Sequence, residues 1–101
     1  MDLFSENTEL QRNSESEGLS SLEVAALTGK LHSNVMRDIR NLLEHGVAQI
    51  NFELGSYTDA NQQVRPCYNL TPKGCLILAS GYDPILREKV INRLEELEMQ
   101  R

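Results

Sequence analysis

The sequence has no apolar run approaching the ~20 residues that a membrane-spanning helix needs, so no membrane partner is expected. No basic start leads into an apolar stretch, so no secretory leader is expected either. Cysteine is scarce: Cys67 and Cys75 alone cannot make a disulfide framework, which points to a reducing, cytoplasmic setting. Histidine is equally scarce. His32 and His45 stand at opposite ends of one expected helix, about 20 Å apart at 1.5 Å per residue, too far to share a metal ion. Neither cysteine has the spacing of a zinc ligand, and Cys75, inside Gly74-Cys75-Leu76-Ile77-Leu78, reads as core. There is no Gly-rich phosphate loop and no Gly-x-Ser-x-Gly turn. Glu95, Glu96 and Glu98 read as a solvated helix face. No catalytic residue, metal or cofactor is expected, and an enzyme is the remotest reading.

What is present is one small domain. Of 101 residues, 40% are hydrophobic and 25% charged, ordinary for a globular protein. A chain of this size buries only about 60–65% of its unfolded surface. The formal net charge of −5 is unevenly placed. Residues 1–18 set Asp2, Glu6, Glu9, Glu15 and Glu17 against Arg12, a net of −4, whereas residues 19–83 are near neutral at −1 and residues 84–101 balance. With Met1, Leu3, Phe4 and Leu10 as its clear apolar positions, segment 1–18 cannot offset its ordering entropy and reads as a disordered acidic tail. The folded domain is expected over 19–101.

Local signals divide that domain. Ser20 followed by Glu23 is a capping box; Leu22, Ala25, Ala26 and Leu27 make a short apolar face, and Gly29 stops the helix. Val35, Met36, Ile39, Leu42 and Leu43 fall in one arc of a second helix, about 32–45, with Asn34, Arg37, Asn41 and Glu44 opposite. Ile50, Phe52 and Leu54 alternate with polar residues, as do Val64, Pro66, Tyr68 and Leu70, so a hairpin is expected around a polar loop at 58–63. Pro66 cannot donate to a ladder and marks an edge or irregular strand. Thr71-Pro72 and Asp83-Pro84 are helix starts. The last helix carries Leu86, Val90, Leu94 and Leu97 on one face, widened by Ile85 and Ile91.

A short helix, then Thr28-Gly29-Lys30, then an amphipathic helix is the pattern of a helix-turn-helix. A helix fits the major groove, and its N-terminal side chains must reach base edges. His32, Ser33, Asn34, Arg37 and Asn41 are suited to that; Lys30 and Arg40 suit phosphates. Lys30, Arg37 and Arg40 face one acid, Asp38, within their span. The following hairpin would be a wing whose tip, Asn61-Gln62-Gln63, with Arg65 beside it, meets the minor groove or backbone. A solvated helical hairpin with a polar loop is the bland counterpart of this pattern.

The order of motifs resembles the phage regulatory protein Rha family. Val24-Ala25-x-x-Thr28-Gly29-Lys30 is followed by His32-x-x-Val35-x-x-Asp38-Ile39, then Phe52, Ser56-Tyr57-Thr58-Asp59, Arg65-Pro66-x-Tyr68-x-Leu70-Thr71, Gly74 and Ile77-Leu78-Ala79-x-Gly81-Tyr82. The similarity covers residues 20–97, about four-fifths of the chain. The resemblance implies a phage or prophage regulator with a winged-helix-like DNA-binding domain. It also implies an association with interference in lytic growth, and in many members a further C-terminal domain. It supplies no defined DNA site. Only two helices precede the hairpin, so the helix that completes the core must come from 72–80 or 84–99.

The expected fold is α+β and winged-helix-like: a helix-turn-helix, a hairpin wing and two C-terminal helices. The expected function is prophage-type transcriptional regulation through double-stranded DNA. Near neutrality allows a monomer few phosphate contacts, so a homodimer through the final helix is expected, doubling the contacts. The rival is an antirepressor-like module that acts on a repressor or another host or phage regulatory protein without gripping DNA. Guanidinium groups of Arg37 and Arg40 paired with acids would favour the rival; a positive surface shared with Arg65 would favour DNA.

Overall fold

The computed structural model describes residues 18–100. The tail expected over 1–18 therefore lies outside the described residues except for Gly18. Helix α1 (Ser21–Thr28) opens with the capping box: Ser20 Oγ accepts from Glu23 N–H, and the Glu23 carboxylate accepts from Ser20 N–H. Gly29, at φ 75°, closes it in the left-handed conformation. Helix α2 (His32–Glu44) follows after three residues, Gly29, Lys30 and Leu31. Strands β1 (Phe52–Thr58) and β2 (Val64–Leu70) pair antiparallel in the register Phe52–Leu70 to Thr58–Val64. Helices α3 (Pro72–Ala79) and α4 (Pro84–Met99) take Thr71 and Asp83 as caps, which accept from Gly74 N–H and Leu86 N–H. The result is α+β in the layout of a helix-turn-helix, a hairpin wing and two C-terminal helices.

The N-terminal approach to α1 lies along β2. Leu19 C=O accepts from Leu70 N–H at 2.8 Å, and Ser20 bridges to Asn69. One residue pair further out, Tyr68 N–H is met by a side chain, Ser21 Oγ, at 3.0 Å. These outward N–H groups belong to alternate residues, so Pro66 occupies the next position in the same series, where its missing N–H leaves no gap in the ladder.

The core joins both halves of the chain. Val24 of α1, Val35, Met36 and Ile39 of α2, Phe52, Tyr68 and Leu70 at the hairpin base, Cys75, Leu78 and Ala79 of α3, and Val90 of α4 are buried together. Helix α4 packs on α1 and α3, supplying the helix that a two-helix start lacks. Burial raises the Cys75 thiol to about 11, so it is a neutral packing group.

The structure departs from the sequence pattern at two places. The alternation around Phe52 is not all strand: Gln49–Asn51 form a 3-10 turn, Ile50 is 82% exposed and Asn51 is buried. Asn51 stays inside because Nδ2 donates to Ala48 C=O and Oδ1 accepts from Thr71 Oγ1. In α1 the buried positions are Ser21, Val24 and Thr28, while Ala26 faces solvent. Thr28 is accommodated because its hydroxyl donates to Val24 C=O at 2.7 Å.

Candidate nucleic-acid interface

The outward face of α2 follows from its inward one. With Val35, Met36 and Ile39 buried, Ser33, Arg37, Arg40 and Glu44 recur at i, i+4, i+7 and i+11 and form one exposed stripe. Asn34 and Asn41 flank it, half-buried and exposed. Among the described residues neither Arg37 nor Arg40 pairs with a carboxylate; the ion pairs present are Arg65–Asp59 and Arg93–Glu96. Asp38, which interrupts the basic run in sequence, turns away and accepts from Tyr82 Oη at 3.3 Å. The N-terminus of α2 has Leu31 at the cap position and no side-chain cap, unlike the other three α-helices among the described residues. Asn34 N–H and Val35 N–H turn back onto Leu31 C=O at 3.0 and 3.1 Å, so among the described residues the N–H groups of His32 and Ser33 are the ones left to solvent or to an anion.

Two side chains of the turn are held internally. Lys30 Nζ lies 4.6 Å from the centroid of the Tyr82 ring, a cation–π contact that fixes the turn against the loop before α4. Burial and the Asp38 charge push the Tyr82 phenol up, so it remains a donor. His32 lies at the junction of α1, α2 and the wing. Its Nε2 is 2.8 Å from Ser21 Oγ, and its ring meets Tyr57 edge-on at 5.6 Å. Ser21 Oγ already accepts from Tyr68 N–H, so its hydroxyl hydrogen is available to a neutral His32 Nε2. A fully buried Ser21 also keeps this serine–histidine pair from any substrate.

Burial lowers the His32 pKa. For a base held neutral in the fold, the unfolded chain binds more protons as pH falls. Stability attributable to His32 is therefore complete above about 6.5, the ordinary histidine value, and declines as pH drops towards the lowered folded value. We expect His32→Gln to flatten the fall in melting temperature between pH 7 and pH 5. An unchanged profile in that variant would show that His32 is not the group responsible.

The wing reaches α2 through the same histidine. Tyr57 is paired with Arg65 across the hairpin, so that row stands beside the N-terminal end of α2. Beyond it the tip is a closed unit. Asp59 Oδ1 accepts from Asn61 N–H and Gln63 N–H, and Oδ2 from Arg65 Nε at 2.9 Å. The Gln63 N–H, the Arg65 guanidinium and the Asn61 N–H hold the Asp59 carboxyl below the usual carboxylate range. Gln62 takes a left-handed φ of 67°, and its side chain and that of Gln63 are exposed.

Of the residues singled out from sequence, Ser33, Asn34, Arg37, Arg40 and Asn41 are thus gathered on one face. Gln62 and Gln63 stand at the wing tip. Lys30, His32 and Arg65 each have a partner inside the protein. Sequence reasoning did not assign Ser21, Asp38, Tyr57 or Tyr82 to the site. Three of these, Asp38, Tyr57 and Tyr82, fall in the motifs that carry the family resemblance, a signal that they matter but not of how.

With this arrangement in hand, the comparison with known proteins is decisive at the level of family. Residues 19–99 match the family described as phage regulatory protein Rha. The chain belongs to that family. Rha-type sequence accordingly spans every described element, from the strand-like approach at Leu19 to the end of α4. An uncharacterized protein of Haemophilus influenzae is 37% identical over 67 residues, covering 62% of this chain and 39% of that protein. The chain therefore aligns with about two fifths of the length of that relative. No solved structure matches the chain. Among the described residues no helix is long and apolar enough to cross a membrane.

Proposed function

We propose that this Rha-family chain is a cytoplasmic, prophage-type transcriptional regulator that binds double-stranded DNA, with α2 in the major groove and the hairpin as a wing. The observation that carries the reading is the exposed Ser33–Arg37–Arg40 stripe. Among the described residues its two guanidinium groups meet no carboxylate, and α2 is there the α-helix whose N-terminus lacks a side-chain cap. Arg37 has the geometry class that reads guanine O6 and N7 through two donors; Asn34 and Asn41 can do the same for adenine. Ser33, Arg40 and the backbone N–H groups of His32 and Ser33 serve phosphates. Gln62 and Gln63 reach the backbone or minor groove from the wing. Lys30, His32 and Arg65 contribute mainly by holding turn, helix and wing in one geometry; their outer edges can still meet phosphate. A homodimer through α4 supplies the second half-site that so few basic residues require.

The test is fluorescence anisotropy of random-sequence duplex DNA with the full chain over a range of salt. Log affinity should fall linearly with log salt, with a slope of about −0.9 for each phosphate neutralised. With three cations near the helix, we expect a slope of roughly −2 to −4 per protomer on that scale. A folded protein that does not bind even at low salt would exclude DNA and leave the protein-binding, antirepressor-like role.

A further inference from the structure

An apolar surface left over by the core lies between α3 and α4. Pro72 and Leu76 on one side, and Ile91, Leu94 and Leu97 on the other, line a groove of about 300 Å³, with Glu95 and Glu98 on its α4 rim. Leu76 is 47% exposed there. Along α4, Arg87, Ile91, Leu94 and Glu98 recur at i, i+4, i+7 and i+11 and so share one stripe. The stripe reads base, apolar, apolar, acid. Arg87 and Glu98 have the same midpoint as Ile91 and Leu94, between Asn92 and Arg93. A single two-fold axis at that point, with two α4 helices antiparallel, sets each Arg87 against Glu98 of the other copy and each Ile91 against Leu94.

Arg87 is prepared for such a contact. Its Nε and Nη2 donate to Ala79 C=O and Tyr82 C=O at 3.4 and 2.9 Å. Those carbonyls orient the guanidinium but carry no net charge, and among the described residues no carboxylate pairs with it. We propose that the groove is the contact with a second copy of this chain, α4 packing antiparallel on α4 with Pro72 and Leu76 closing its sides. Self-complementary charge on one stripe is what an isologous interface requires. This deepens the DNA-binding reading and rests on it for its consequence, two α2 helices presented to two half-sites, but the assembly itself can be tested without DNA.

Sedimentation equilibrium on the full chain, free of DNA, tests it with Leu76→Glu and Glu98→Lys, each checked by circular dichroism melting. The wild type should be a reversible dimer. Leu76→Glu brings a carboxylate into the apolar groove, and Glu98→Lys sets a cation against the second copy's Arg87. Each should raise the dimer dissociation constant at least about tenfold, a change of roughly 1.4 kcal/mol, while Glu98→Asp keeps the dimer. An unchanged far-ultraviolet spectrum and a single cooperative melt show that the fold is intact, a small fall in midpoint being the lost stabilisation by the dimer. A wild type monomeric at every concentration overturns the proposal and leaves the groove to a basic amphipathic helix of another protein. So does a dimer that neither substitution weakens. A dimer that behaves as expected yet fails to bind DNA would sink the DNA reading and keep this one.

Discussion

Gly74→Ala should destabilise the protein by about 2–4 kcal/mol, against the sign that helix propensity alone would give. Alanine in place of glycine inside a helix normally gains roughly 0.5–1 kcal/mol. Here the added Cβ would run into the backbone oxygen of Asn51 and stand 3.3 Å from its carbonyl carbon and Cβ. The obstacle is main chain, and it is tied down. Asn51 C=O accepts from Thr71 N–H at 3.2 Å, Thr71 Oγ1 donates to Asn51 Oδ1, and Gly74 N–H donates to Thr71 Oγ1. Relief of the clash requires α3 to withdraw from the 3-10 turn. That would loosen the cap of α3 together with the satisfied state of a buried asparagine. Overpacking costs typically 1–3 kcal/mol, and a buried polar group left unpaired adds about 1–3 more. A domain of this size loses roughly 4–8 °C of melting temperature per kcal/mol, so a fall on the order of 10–20 °C is expected by thermal melting. Gly81→Ala is the control. Its Cβ would meet Leu78 C=O at an ordinary 3.8 Å, and it should melt close to wild type. If both variants melt alike, the close approach of α3 to Asn51 is wrong.

That close approach could not be read from the sequence, where Gly74 is simply a poor helix former. What was legible is what neighbouring residues decide among themselves. Ser20 with Glu23, Thr71 with Pro72, Asp83 with Pro84, and Gly29 fix helix ends through bonds that span a few residues, and each stands where the pattern placed it. The 3.6-residue period of α2 likewise identified its buried face, because a helix has one inner side wherever it docks. Strand alternation was less informative. Leu54 continues the apolar series of Phe52 but is 64% exposed, although Tyr68 opposite it is buried, because among the described residues the approach at Leu19–Ser21 flanks β2 and leaves β1 as the outer strand. The candidate site divides in the same way. The Ser33–Arg37–Arg40 stripe follows from helix geometry. The engagement of Lys30 by Tyr82 joins residues far apart in the chain, and only the packing of α4 brings that loop back to the turn.

The same division sets what the two arginines should do when removed. Arg37→Ala/Arg40→Ala should leave stability within about 0.5 kcal/mol, as expected for exposed positions that meet no carboxylate among the described residues. Its effect on DNA should be large. If Arg37 makes a bidentate contact to guanine, its loss alone costs about 1–3 kcal/mol, roughly 5–150-fold, at one base position. Arg40, on phosphate, should weaken all sequences alike and reduce the salt slope by about 0.9. The two roles can therefore be told apart by measuring single variants on a duplex obtained by binding-site selection and on random duplex. Arg37→Ala should narrow the gap between the two; Arg40→Ala should preserve the gap while flattening the salt dependence of both. The double variant should lose about two orders of magnitude on the selected duplex. Wild-type affinity in the double variant would mean that α2 is not the helix in the groove, whatever the chain binds. An equal loss on selected and random duplex from Arg37→Ala would reassign that residue to phosphate, and base recognition would then fall to Asn34, Asn41 and the wing.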